Sequence, residues 1–353
     1  MRWKPVMTLV VMSLACSHGA LAQGLSKLTI NGYSSFEFEK QIEEEGGGDP
    51  NASFDADLFD LVFNFQVNDK IRVSADLTWE HGTATEDGFG NVAVEYAFVE
   101  YAFADLAKVR VGKMFTPHGI FNEIHTAKPA FLSVKEPAST NKPERIVENA
   151  FRYFPRWGTG VAIRGDGVIA QRDFSYDVFI SNGAQEETNP FEEDNNLAKA
   201  ITARFRFEPT ESFSIGNSFY HDKVGADGVE KIVSDGLELR YQTGTWRIIA
   251  ELAFGWLTPE DGDKIQQIGW YIQPSYYFEN GLTPYVRLER VDPNTDIAND
   301  HGYDLIVGLN YEISGGFMIK AENNYYKGGS NSTLAQYPNA SYNEIKAAVV
   351  LGF

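Results

Sequence analysis

The sequence predicts an all-β fold: a transmembrane antiparallel β-barrel of about 16 strands. Three observations carry that expectation. Period-two alternation of apolar and polar residues runs from end to end of the 353 residues. The connections between alternating segments are short and long by turns. The mean hydropathy is polar at -0.29, yet 14% of the chain is aromatic and no apolar run past the N-terminus reaches the length of a membrane helix. A barrel wall that is apolar only at every other residue reconciles these facts.

From the N-terminus, Arg2 and Lys4 precede an apolar run from Val6 to Ala15, and Ala20-Leu21-Ala22 supplies a small-x-small pattern. This reads as a signal peptide over 1–22, followed by the barrel over 23–353. Cys16 is the only cysteine and has Ser13 three residues before it, so we read it as part of the signal, not as a lipidation site. The mature chain then has neither disulfide nor thiol chemistry.

Sixteen strands are expected near 25–40, 53–67, 70–81, 91–103, 107–115, 158–166, 172–182, 197–207, 212–222, 233–243, 246–257, 267–279, 282–291, 303–313, 316–327 and 341–353. Ile71, Val73, Ala75, Leu77 and Trp79 alternate with Arg72, Ser74, Asp76, Thr78 and Glu80. Trp246, Ile248, Ala250, Leu252, Phe254 and Trp256 repeat the pattern against Arg247, Glu251 and Gly255. The last strand carries Ile345, Ala347, Val349, Leu351 and Phe353 on one face, and is expected to close on the strand around Leu28 and Ile30. A soluble β-sandwich would also alternate; the leader, the aromatic end of the last strand and the alternating connection lengths favour the barrel. Short turns belong on the periplasmic side and long loops outside.

One connection, 116–157, is far longer than the rest and rich in groups able to pack, among them Ile120, Phe121, Phe131, Ile146, Val147, Tyr153 and Phe154. A lumen of this width accepts a folded-in segment, so this third long loop is expected to form a constriction. Charge singles out the same region. The chain carries a net charge of -19, or -21 without Arg2 and Lys4, but 106–164 holds ten basic residues against four acidic ones. Candidate pore-lining, anion-selecting residues are Arg110, Lys113, Lys128, Lys135, Lys142, Arg145, Arg152, Arg156 and Arg164. Two outcomes stay open: these cations attract anions, or they pair with wall carboxylates. Lumen parity supplies such partners in Asp76, Glu80, Glu238, Glu251, Glu289 and Glu322, alongside Arg72, Arg204, Arg206, Arg240, Arg247, Arg287 and Lys320.

Acidic balance excludes nucleic acid as a partner. Acidic loop runs (Glu43-Glu44-Glu45, Glu186-Glu187, Glu192-Glu193-Asp194 and Glu260-Asp261-Gly262-Asp263) suit divalent-cation bridges to lipopolysaccharide, but none has the spacing of a defined metal site. No cofactor is called for. Enzymatic activity is not expected either: there is no Gly-x-Ser-x-Gly, and His221-Asp222 are strand neighbours that point to opposite faces. A plugged structural or adhesin barrel is the alternative to an open channel.

The stretch Ala97-Phe98-Val99-Glu100-Tyr101, followed by Val109-Arg110-Val111-Gly112-Lys113-Met114-Phe115-Thr116-Pro117-His118-Gly119, resembles a signature of the phosphate-selective porin O and P family of Gram-negative outer membranes. Arg110, Gly112, Lys113, Thr116, Pro117 and Gly119 match the motif, and His118 stands where an aromatic is more usual. The resemblance covers 97–160. It implies a homotrimeric channel of sixteen strands in the outer membrane, with a basic pore for small anionic or hydrophilic solutes, phosphate among them. Phe353 is similar to the signal that the outer-membrane assembly machinery reads.

Overall fold

The computed structural model describes residues 27–44, 52–80, 92–183, 194, 196–225, 229–334 and 341–353. The leader over 1–22 and the runs around Glu45, Glu186-Glu187 and Glu192-Glu193 lie outside them.

Sixteen antiparallel strands form one closed barrel in which each strand pairs with its neighbours in sequence and β1 pairs with β16. They are β1 (Leu28–Glu44), β2 (Ala52–Asn68), β3 (Ile71–Glu80), β4 (Val92–Ala104), β5 (Ala107–Phe115), β6 (Trp157–Ile169), β7 (Arg172–Ser181) and β8 (Ala200–Thr210). The circuit continues with β9 (Phe213–Asp222), β10 (Val229–Thr243), β11 (Trp246–Pro259), β12 (Ile265–Tyr276), β13 (Leu282–Asp292), β14 (Gly302–Ser314), β15 (Phe317–Gly328) and β16 (Ser341–Gly352). Closure leaves no strand edge unpaired, the condition for crossing lipid with strands. All sixteen expected strands are present.

The two faces of the wall have the polarity of a membrane barrel. On β3, Ser74, Asp76 and Thr78 are buried, while Val73 just before them is exposed and Ala75 and Leu77 between them are half-buried. On β14, Asp304, Ile306 and Asn310 are buried, while Leu305, Val307 and Leu309 are exposed. A soluble sandwich would show the reverse.

Two details differ from the sequence expectation. The seam runs Tyr33↔Gly352 and Ser34↔Leu351, and Phe353 exchanges backbone hydrogen bonds with Gly32 at 2.8 and 3.0 Å. Leu28 and Ile30 pair only with β2, because the stagger of a closed barrel carries β1 past its neighbour at the short-turn rim. The loop connection is 116–156, since Trp157 already pairs with Phe115 at the start of β6.

Candidate functional site

The long third connection folds into the barrel. It contains one turn of helix, α1 (Ala138–Asn141), three short 3-10 segments, and otherwise irregular backbone. Its apolar side chains dock on the few apolar positions of the lumen face. Ile120, Phe121 and Phe131 pack on Ile249 and Tyr271. Ile146, Val147 and Ala150 pack on Val291, Val134 on Ala348 and Val350, and Tyr153 and Phe154 on Ala200, Tyr220 and Ala253.

Irregular backbone held against a wall needs partners for its amides and carbonyls. Wall side chains supply them. Glu251 accepts from the Ile120 N–H and, at 3.0 Å, from the Thr140 hydroxyl. Glu289 accepts from the Ser139 N–H at 2.7 Å and Glu322 from the Val134 N–H at 2.9 Å. Gln267 bonds both the N–H and the C=O of Phe151 at 2.8 and 2.6 Å. The ammonium of Lys320, on a residue only 1% exposed, donates to the carbonyls of Lys128, Phe131 and Ser133 at 2.6, 2.6 and 3.0 Å. Arg287 donates to the Ser133 hydroxyl at 2.9 Å and pairs with Glu289 at 2.7 Å.

The turn into the loop explains two glycines of the motif. Gly112 has φ +140, and a Cβ there would lie 2.2 Å from the Ala97 carbonyl oxygen. Gly119 has φ +56, and its Cβ would meet the Glu251 carboxylate at 2.4 Å, so the glycine lets Glu251 reach the Ile120 amide. His118 behaves as an aromatic ring: it stacks on Phe154 at 4.4 Å between centroids and 11° between planes. Burial, with the Arg156 and Arg204 guanidiniums nearby, pushes its imidazole down to about 3 and keeps it neutral.

The nine candidate cations fall into distinct settings. Lys128 lies 3.1 Å from Glu37 and 3.0 Å from Asp57, and Lys135 joins the same two carboxylates, 2.8 Å from Asp57. Burial alone would push the Lys135 ammonium down, but Asp57 and Glu37 outweigh it and hold it up. Arg156 grips both oxygens of Glu136, one at 2.9 Å, and Lys142 lies 3.3 Å from the same carboxylate. Burial would raise Glu136, yet Arg156 and Lys142 hold it well below the usual carboxylate range. Lys142 is pushed down to about 8 by burial and by Arg156, Arg145 and Arg152, with Glu136 opposing. Arg152 pairs with Glu144 at 2.7 Å. Lys113 donates to the Val94 carbonyl and sits 4.9 Å over the Trp157 ring. Arg145 is exposed and makes no ion pair among the described residues. Lys128, Lys135, Lys142 and Arg145 all line one cavity of about 100 Å³ between the loop and the wall, across from Glu289 and Asp304.

Arg110 and Arg164 belong to a second group, on the wall itself. Arg72, Arg110, Arg164, Arg204, Arg206 and Arg240 occupy lumen positions of β3, β5, β6, β8 and β10, in the half of the barrel nearer the short turns. Glu100 joins Arg72 at 3.0 Å and Arg110 at 2.5 Å. Asp177 lies 3.5 Å from Arg164 and 3.0 Å from Arg204, and Glu123 of the loop meets Arg204 at 2.5 Å. Glu238 meets Arg206 at 2.5 Å, while Arg240 has a buried Nε with no hydrogen-bond partner among the described residues. Six guanidiniums thus face four carboxylates. A second cavity, of about 230 Å³, opens on this group between Arg72, Arg110, Arg164 and Glu123.

Lumen parity identifies the wall arginines from sequence, but the dense positive run of the loop draws attention away from them. Apolar residues at lumen positions, such as Ile249, Ala253 and Val291, are the sequence signal for where the loop docks. The His221-Asp222 pair is split between faces: Asp222 is buried and accepts from the Tyr220 hydroxyl at 2.9 Å. Among the described residues no three metal-ligating side chains converge, and no helix is long and apolar enough to cross a membrane.

No known protein-family profile matches the chain. An uncharacterized protein of Aquifex aeolicus (strain VF5) is 25% identical over 258 residues, 67% of this chain and 54% of that protein, so the chain spans about half the length of the curated relative it matches. Among solved structures, an anion-selective porin from Comamonas acidovorans superposes with a TM-score of 0.67 at 11% identity, covering 92% of this chain and 99% of the other. OmpF of Salmonella typhi, in complex with daunomycin, gives 0.66 at 10% identity over 92% and 97%. OprB of Pseudomonas putida gives 0.65 at 11% identity over 95% and 96%. The chain has the sixteen-stranded fold of these outer-membrane porins.

Proposed function

We propose that the protein is a porin of a Gram-negative outer membrane: a passive channel for small hydrophilic solutes that prefers anions. The observation that carries the preference is the row of wall arginines, in which six guanidiniums face four carboxylates beside a loop that narrows the lumen. Fixed positive excess in a narrow, low-dielectric passage replaces the hydration an anion loses and repels cations. Arg110 and Arg164 act within this row; Lys142 and Arg145 add charge at the loop. Lys128, Lys135 and Arg156, each held by carboxylates, serve chiefly to seat the loop, with Lys113 and Arg152 at its margins.

The finer parts of the reading have separate support. Phosphate as a solute rests on the motif around Arg110 and Lys113. Trimeric assembly rests on that resemblance, and one solved form of Vibrio cholerae OmpT, with a TM-score of 0.58, is described as a trimer. Lipopolysaccharide is the expected neighbour of the long-loop rim.

The test is a planar bilayer under a salt gradient. The purified protein is expected to give a reversal potential on the anion side, moved toward zero by Arg110→Gln with Arg164→Gln and Arg240→Gln. A cation-side potential in the parent protein overturns the anion preference, and absence of any unitary conductance would identify a plugged barrel instead.

A further inference from the structure

The cavity at β3–β6 combines aromatic rings with arginines. Here Tyr96, Phe98 and Phe115 stand half-buried beside Arg72, Arg110 and Arg164. The rings form a continuous group: Tyr96 lies 5.6 Å from Phe98 and 5.4 Å from Phe115 between centroids. Apolar surface left open to a wet passage, rimmed by charge, marks a place where a ligand covers it.

The guanidiniums have capacity to spare. Arg110 gives its Nε to Glu100 and its plane covers Phe98 at 4.4 Å; Arg72 gives one Nη to Glu100 and stands 5.9 Å from the same ring. Arg164 approaches Asp177 only at 3.5 Å. The η nitrogens of Arg110 and the guanidinium of Arg164 have no hydrogen-bonded protein acceptor among the described residues. The carboxylate lining the cavity, Glu123, is already engaged by Arg204. Counting Arg204, four guanidiniums face Glu100, Glu123 and Asp177, an excess of one positive charge.

We propose that this cavity is a binding station for planar aromatic monocarboxylates on their way through the channel. The carboxylate takes paired N–H donors from Arg110 and Arg164, a geometry that guanidinium forks favour. The ring stacks among Tyr96, Phe115 and the Arg–Phe98 layer, where a flat π-face gains more than a saturated ring of similar size. One excess charge suits a monoanion. The proposal rests on the anion-channel reading above and adds a solute class to it.

The experiment measures block of the chloride current in a planar bilayer by benzoate, cyclohexanecarboxylate and acetate, after the reversal potential of the parent protein has been read. Benzoate is expected to act at concentrations about threefold to tenfold below cyclohexanecarboxylate, the worth of one aromatic contact, with acetate weakest. Phe98→Leu is expected to bring the benzoate-to-cyclohexanecarboxylate ratio close to one, with Phe115→Leu as the second variant if the first does not assemble. Equal action of the three acids on the parent protein overturns the inference while leaving the anion preference standing. A ratio that survives both substitutions overturns the assignment to this cavity. A cation-side reversal potential removes the reading on which the proposal depends, and is recognised before any organic acid is added.

Discussion

A buried ammonium surrounded by three loop carbonyls ties the stability of one side chain to the position of a whole segment. Lys320→Met would leave those carbonyls without donors in a site closed to water, at a cost of about 3–5 kcal/mol. The variant is expected to unfold on gels at a lower temperature than the parent and to show a noisier open-channel current. Lys142 makes a pH prediction. Its ammonium is held down at about 8, so it carries charge at neutral pH and loses it as pH rises through that value. Anion preference is therefore expected to fall between pH 7 and 9, and Lys142→Arg, which stays charged, to flatten that dependence. An unchanged parent profile over this range would remove Lys142 from the selectivity account. At this scale the sequence was least legible. For Lys128 and Lys135 the sequence left anion attraction and pairing with wall carboxylates both open, and the carboxylate partners lie 91 and 78 residues away on β1 and β2. Only the folded loop position brings them together, and no local pattern encodes it.

Elements were far more legible, because alternation is a local property that survives any tertiary context. Misjudged ends have local causes. β10 begins at Val229, not near 233, since a register shift between Val229 and Lys231 interrupts the alternation. β8 begins at Ala200, not 197, because the Asn196 side chain caps the Ala198 amide at 2.7 Å and holds the chain in a turn with Leu197 fully exposed. The loop was legible as a packed segment from its apolar content, though not its path. Deleting its middle, residues 127–150, is expected to raise unitary conductance by about twofold or more, since the sixteen-stranded lumen then opens to its full width. A conductance equal to that of the parent would mean the loop does not set the constriction.

For the whole molecule, the decisive property is a wall with a polar inner face and an apolar outer one. Val307, 56% exposed near the middle of β14, is placed for lipid contact. Val307→Arg is expected to destabilise the folded barrel by about 2–4 kcal/mol, and Ile313→Arg near the rim by about 0–1 kcal/mol, measured by reversible unfolding from lipid. Equal costs at both depths would argue against a membrane setting.

The wall groups that hold the loop have a consequence for how the molecule is made. Glu289 and Glu322 bind amides that precede them by 150 and 188 residues, and Lys320 reaches back 192. Contacts of such separation form late, when most of the chain is already paired. They also sense alignment. A slip of one residue in β13 or β15 would turn Glu289, Glu322 or Lys320 from lumen to lipid and strand the loop amides and carbonyls they serve. Seating of the loop thus acts as a proofreading step for strand alignment: a misaligned wall cannot complete the interior, and only a correctly wound barrel acquires its narrow passage.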